Sequence, residues 1–381
     1  MVNMTSPNRY RSQSVDTTPL SLPLQFDFAQ VQAPNRFLKA AMEERLCTWD
    51  LYNHDESGIP DAAMFRLYEQ WGKGAIGNIL TGSILFEHDQ ITQRGDAVIP
   101  TYSPFHGKRF EAFATLAKYG KSCGSLMLGQ LNHPGRQIDE HIQAWPISAS
   151  DVQQPGFAGQ TFAKPRPATI SDISHVVEGF THAAIYLEKA GFDGVELHAA
   201  HGYLLAQFLS PKINLRQDQY GGCLQNRARL LIEVVQALRR RTSASFIIGI
   251  KLNSVEFQSD GDLEEVKELA ALLEKNGVDF IELSGGGLEH FEHKRESTRK
   301  REAFFLEFAE SIAPLLSRMR LYITGGFKTA GAMVQALDIV DGVGLGRPLA
   351  QEHDCAETSL PKLSMPPSSS FQAKITMLSP M

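Results

Sequence analysis

The stretch Gly194-Val-Glu-Leu-His-Ala-Ala-His-Gly-Tyr-Leu-Leu-Ala-Gln-Phe-Leu-Ser-Pro211 governs how the rest of the chain is read. It opens as a short buried strand, Gly194 to Leu197. His198, His201 and Tyr203 follow at once, and two imidazoles and a phenol so spaced can donate hydrogen bonds or protons to one small ligand. Beyond them, Pro211, Asn214, Arg216, Asp218, Tyr220, Gly221 and Gly222 supply turn formers and polar groups. A strand that delivers chemistry at its C-terminal end is the repeating unit of a parallel barrel.

Working outward, the same unit recurs. Strand patterns are read at Arg36–Ala41, Ile76–Leu85, Ser125–Leu131, Gly194–His198, Phe246–Leu252, Phe280–Leu283, Leu321–Thr324 and Gly342–Leu345. Most are continuous apolar runs, as expected of strands buried on both faces. Between them, Asp61–Lys73, Pro104–Tyr119, Ile173–Ala190, Gln225–Arg240, Leu263–Asn276, Ala303–Leu316 and Thr329–Leu337 repeat apolar residues every three or four positions, the helical spacing. Eight strands alternating with helices predict an α/β fold, a (β/α)8 TIM barrel in one domain. The alternative is an open doubly wound sheet, but no Gly-x-Gly-x-x-Gly follows an early strand. The expected layout is a flexible arm at 1–24, the barrel at 25–358 and a polar tail at 359–381. The long loop after strand three, Leu131 to Ser171, should lie on the active face.

Bulk properties exclude other classes. The chain has 381 residues, 43% hydrophobic content and a net charge of −6, which offers no field for nucleic acid. No apolar run reaches the roughly 20 residues of a membrane span, and residues 1–25 lack a secretory core, so a cytoplasmic protein is expected. Cys47, Cys123, Cys223 and Cys355 show no paired spacing and read as reduced thiols.

Three constellations carry chemistry. Strand seven ends in Thr324-Gly325-Gly326 and strand eight in Gly344-Leu-Gly346-Arg347. Each glycine pair alone is an ordinary tight turn; together, at the two positions where such barrels hold phosphate, with an arginine that can grip two oxygens, they predict a phosphate site. His198-x-x-His201 is a possible metal pair, but no second histidine pair or acidic cluster completes it; two N–H donors to an oxyanion, with Tyr203 as acid, is the preferred reading. Lys251 lies inside the strand Ile247-Ile-Gly-Ile-Lys251-Leu and needs an anionic partner or a carbonyl, whether as a cation beside a cofactor or as a Schiff-base nucleophile. Gln130, at the end of strand three, presents an amide suited to an imide edge. The basic run Lys294-Arg295…Arg299-Lys300-Arg301 reads as a solvated loop, with a contact to the ribose phosphate of NADPH as the alternative.

These residues resemble one family. Pro34-Asn-Arg-Phe-Leu-Lys-Ala-Ala-Met42, Gly129-Gln-Leu-Asn-His-Pro-Gly-Arg-Gln137, Gly194 to Leu204, Gln207 to Gly222, Asn226-Arg-Ala-Arg229, Gly249-Ile-Lys-Leu-Asn253 and Gly342 to Arg347 are similar to an Old Yellow Enzyme type NADH:flavin oxidoreductase of the filamentous-fungal branch. The resemblance runs collinearly over roughly residues 25 to 355. It implies non-covalent FMN at the C-terminal face of the barrel, reduced by NADPH or NADH, and hydride transfer to the activated alkene of an enone. It implies that His198 and His201 hold the substrate oxygen, that Tyr203 protonates the α-carbon, and that no metal is used. Ala41, Met42, Glu43, Ser83, Gln130 and Lys251 would line the flavin, and Gly325, Gly326, Gly346 and Arg347 its phosphate. A redox-neutral FMN-bound isomerase or desaturase, a flavin carrier without turnover and a Lys251 aldolase are the rival functions. The oligomeric state is left open.

One residue departs from the family pattern. Glu43 follows Ala41-Met42 where a threonine or cysteine usually donates a hydrogen bond to the flavin. An ionised glutamate cannot donate and would oppose the reduced flavin anion. The working reading is that Glu43 is ionised and lowers the flavin potential; two alternatives stay open, that burial keeps it neutral and able to donate as threonine does, or that it points away toward Arg45 or Arg36.

Overall fold

The computed structural model describes residues 15–50, 52–157, 159–253, 263–284, 308–327, 329–354 and 356–357. Each apolar run becomes a strand. They are β1 (Phe37–Lys39), β2 (Asn78–Leu85), β3 (Leu126–Leu131), β4 (Gly194–Ala199), β5 (Ile247–Asn253), β6 (Phe280–Ser284), β7 (Arg320–Thr324) and β8 (Gly342–Leu345). All eight pair in parallel, each with the next in sequence. β8 returns to β1 through Val343↔Phe37 and closes the cylinder. This is the predicted TIM barrel.

Side-chain alternation divides the strands. One set, including Ile79, Met127, Val195, Leu197, Ile248, Ile250, Ile281 and Ile323, joins the core shared with the helices. The other set points inward. Its lower layer is apolar: Leu38, Leu80, Leu128, Ile247, Phe280 and Tyr322 pack with Leu24, Phe26 and Ala33. Those last three belong to an antiparallel hairpin, Leu24–Phe26 against Val31–Ala33, that plugs the N-terminal end of the barrel. Asp279 ties the plug down, since Oδ1 accepts from Ala29 N at 2.9 Å and Oδ2 from Ile248 N at 2.8 Å. Above the apolar layer the inward side chains turn polar. Caps set the helices that enclose the barrel: Asp61 accepts from Ala63 N and Met64 N at the start of Ala62–Lys73, and Thr169 with Asp172 forms a capping box for Ile170–Lys189.

Two sequence expectations change. The flexible arm does not extend to residue 24: Thr18–Ser21 forms a helical turn, and Leu20 is fully buried. Residues 1–14 and the predicted tail at 359–381 lie outside the described residues, as do the basic run, the loop after Ser284 and the first part of the helix read at Ala303–Leu316. The long segment after β3 carries a short parallel pair, Ile147–Ser148 with Arg166–Pro167.

Candidate active site

The inward residues of β3 to β6 converge at the C-terminal end of the barrel. Parallel register places Lys251 beside His198 and beside Glu282, and Gln130 beside Glu196. Gln130 Nε2 donates to Glu196 Oε1 at 2.7 Å. Lys251 Nζ sits 3.2 and 3.4 Å from the two Glu282 oxygens. All four side chains are buried. Burial works against the Glu282 carboxylate, but the Lys251 charge, together with the hydrogen-bonding groups of Glu196, Thr324 and Lys251, outweighs it and holds its pKa below the usual carboxylate range. Glu196 moves the other way: burial and then the Glu282 charge push its pKa well above normal, which favours its neutral form beside the Lys251–Glu282 pair. Lys251 has the anionic partner that its burial required, and its pKa is raised rather than lowered, because Glu282 and Glu196 outweigh burial. That is contrary to what an amine nucleophile needs, and it disfavours the aldolase reading.

His198, His201 and Tyr203 meet above this layer. The His198 ring centroid lies 5.0 Å from that of His201 and 4.8 Å from that of Tyr203, both nearly edge-on. His201 adopts a left-handed backbone, φ 55°, unusual for a side chain larger than glycine. Gln137 Nε2 holds this turn by donating to His201 O at 3.0 Å. Burial lowers the pKa of both imidazoles, with Lys251 adding to the effect; His201 falls to about 3 and His198 well below normal. Both rings are therefore neutral. His198 Nδ1 accepts from Ala200 N at 3.3 Å, which leaves the proton on Nε2 as a donor. His201 Nε2 meets Ser284 Oγ at 3.3 Å. Tyr203 caps the helix Leu204–Leu209, and its hydroxyl has no hydrogen-bond partner among the described residues. Burial, then the Glu43 and Asp96 charges, raise its pKa, so it stays a phenol and a proton donor. The described residues contain no cluster able to hold a metal ion.

The loop after β1 runs along β2. Ala41 and Met42 are half-buried, and Met42 would come within 3.9 Å of a Cβ placed on Gly346, which joins the first-strand loop to the β8 turn. The two glutamates that follow diverge. Glu44 turns inward, accepts from Gly82 N at 2.9 and 3.2 Å and from the Tyr68 hydroxyl, and pairs with Lys39 at 3.5 Å. Position 82 has to be glycine for this, because a Cβ there would lie 2.2 Å from Glu44 Oε2. Glu43 is exposed as a residue, yet its carboxyl reaches buried Ser83, whose Oγ donates to Oε1 at 2.7 Å. Burial of that carboxyl and the nearby Asp96 charge raise its pKa to about 8. Of the readings left open by the sequence, burial favours the neutral one: with an acid neighbour and no cation within ion-pair distance among the described residues, Glu43 tends to keep its proton at neutral pH.

The predicted phosphate cradle is consistent with FMN. Gly325 and Gly326 adopt φ 121° and 80°, backbone conformations that favour glycine, and a Cβ on Gly325 would meet open space. Arg347 is exposed at the start of Arg347–Gln351 and makes no ion pair among the described residues. Gly346, next to Arg347, faces Met42.

Sequence reading missed three acids. Glu282 interrupts the apolar run Phe280-Ile-Glu-Leu, the same signal that drew attention to Lys251. Glu44 carries none beyond its neighbour. Asp96 is a loop aspartate whose role depends on a fold that brings residue 96 to residue 43.

Comparison with known proteins accords with this geometry. Residues 19–358 match the NADH:flavin oxidoreductase / NADH oxidase family. The chain is 46% identical over 375 residues to an NADH-dependent flavin oxidoreductase of Aspergillus parasiticus, covering 96% of this chain and 84% of that one. It is 36% identical over 340 residues to one of Talaromyces variabilis, covering 83% and 80%. Among solved structures, morphinone reductase superposes with a TM-score of 0.71 at 24% identity, covering 89% of this chain and 90% of that one. An Old Yellow Enzyme homologue from Zymomonas mobilis gives 0.70 at 23%, covering 89% and 91%. At these identities the structural likeness speaks for the fold; the sequence match identifies the chain as a member of the NADH:flavin oxidoreductase / NADH oxidase family, an oxidoreductase that uses FMN and NAD(P)H.

Proposed function

We propose that this oxidoreductase reduces the activated C=C bond of an α,β-unsaturated carbonyl compound. The observation that carries the reading is the neutral His198–His201–Tyr203 group: two imidazoles in one turn, beside a phenol whose hydroxyl has no protein partner among the described residues. Bound FMN would take hydride from NAD(P)H and pass it to the β-carbon of the alkene. The protein contributes the rest. His198 and His201 hold the carbonyl oxygen and stabilise charge as it develops there; being neutral, they polarise the carbonyl without giving up their protons. Tyr203 supplies the proton to the α-carbon. Gly325, Gly326, Gly346 and Arg347 hold the phosphate, while Ala41, Met42, Glu43, Ser83, Gln130 and Lys251 line the flavin. The Lys251–Glu282 pair sets a fixed charge in the layer below. The test is single turnover: reduce the enzyme with NADH, add a small cyclic enone without oxygen, and weigh the product. A gain of two hydrogens supports ene-reduction. An isobaric product would assign a redox-neutral isomerase.

A further inference from the structure

Asp96, which no motif marks, lies beside Glu43 in a recess shared with Ser83, Leu46 and Cys47. Its Oδ2 is saturated: it accepts from Thr92 N at 2.9 Å, Thr92 Oγ1 at 2.6 Å and Gln93 N at 2.8 Å. Three donors on one oxygen work in favour of the carboxylate form of Asp96, against burial, which is the larger effect and raises its pKa above the usual range. Its Oδ1 is buried and has no hydrogen-bond partner among the described residues. The recess is too tight to admit a water molecule, so solvent cannot supply the missing donor. The Glu43 carboxyl is within hydrogen-bonding reach of Asp96, and it can donate only when it carries a proton.

We propose that Glu43 and Asp96 form a carboxyl pair that shares one proton, held on Glu43, and that this pair sets the charge beside the flavin. It rests on the flavin site described above and adds a residue, Asp96, to it. With one proton the pair carries a single negative charge; without it, two charges face the site and disfavour the reduced flavin anion. The groups packed around the pair do not replace that proton. From the Glu43 loop, Glu44 is engaged by Gly82 and Tyr68, Arg45 is exposed, and Cys47 stays a thiol because burial raises its pKa. From β2, Ser83 already donates to Glu43. Across the mouth, Tyr203 stays a phenol and the Lys251 charge is answered by Glu282.

The experiment has two arms. The first follows the carboxyl carbons by NMR in 13C-labelled apoprotein over a pH series. We expect one glutamate resonance, absent from Glu43→Gln, to titrate near pH 8 and to move down by about a unit or more in Asp96→Asn. Titration in the ordinary carboxylate range, or no movement in Asp96→Asn, overturns the proposal. If Asp96→Asn does not fold, the wild-type titration decides alone. The second arm compares flavin midpoint potentials of the FMN-loaded wild type and Glu43→Gln. The two should agree at pH 6 to 7 and separate above pH 8, the wild type falling lower. A constant offset at every pH, or none at any, overturns it. The apoprotein arm stands whether or not enones are reduced, so failure here is distinct from failure of the proposed reaction.

Discussion

The two ends of the barrel share strands but differ in what their side chains find as partners. At the N-terminal end, Phe280 meets Phe26 at 5.8 Å and Tyr322 at 5.6 Å between ring centroids, and the Tyr322 hydroxyl takes its hydrogen bond from Asn78. These groups serve the fold, although Asn78 Oδ1 is left buried without a hydrogen-bond partner among the described residues. At the C-terminal end, Tyr203 and Arg347 have no hydrogen bond or ion pair among the described residues, and His201 holds a strained backbone. Stability is concentrated at one end and unspent bonding capacity at the other. A substitution should therefore affect either folding or chemistry, according to the end it strikes.

The largest effect is expected at the plug. Phe280→Ala removes a fully buried ring and should cost about 3–5 kcal/mol of stability, read as a lower denaturant midpoint. The FMN affinity of the protein that remains folded should hardly change. A large loss of affinity without loss of stability would erase the distinction between the ends. At the other end, Tyr203→Phe keeps the ring and removes the hydroxyl that carries the proton. Reduction of the flavin by NADH should persist, while reoxidation by an enone slows by roughly 10²–10⁴-fold. Stopped flow separates the two half-reactions, and equal slowing of both would make Tyr203 a structural residue.

Arg347→Ala should come next. Loss of a charge-assisted phosphate contact is worth about 1.5–3 kcal/mol, or roughly ten- to a hundredfold in the FMN dissociation constant. The unfolding midpoint of the apoprotein should stay put. An unchanged constant would place the phosphate elsewhere.

The gentlest test is pH. Folded His133 and His201 titrate near 3, whereas the unfolded imidazole takes a proton near 6.5. Below 6.5 the unfolded chain binds protons that the folded chain refuses. The stability linked to these histidines is therefore full above 6.5 and is lost as pH falls toward 3. Glu43 acts in the opposite sense. The folded chain keeps its proton up to about 8, against 4.5 unfolded, so its contribution weakens the fold as pH rises through that window. Thermal melts from pH 4 to 9 should show the acid loss shrink in His201→Asn and the alkaline loss shrink in Glu43→Gln.

The barrel was readable because buried parallel strands leave continuous apolar runs, and all eight were found. The His198–His201–Tyr203 group was also readable, since strand register and one tight turn keep it local in sequence. What escaped was long-range. Asp96 reaches Glu43, and Glu282 reaches Lys251, only once the cylinder closes. Without those partners the sequence left the protonation of Glu43 open between an ionised and a buried neutral form. Leu20 was read as part of a loose arm because one apolar residue among Ser, Thr and Pro shows no period; it is packing into the core shared with the helices that orders it.

The most direct test of the central claim, that the C-terminal end of this barrel delivers hydride to an activated alkene, is an anaerobic double-mixing experiment. The FMN-loaded protein is reduced by one equivalent of NADH and then mixed with 2-cyclohexenone. The account predicts a bleached flavin that regains its colour with the enone, and a saturated ketone two hydrogens heavier than the substrate. A reduced flavin that stays bleached in the presence of enone, or recovers only with oxygen, would contradict it.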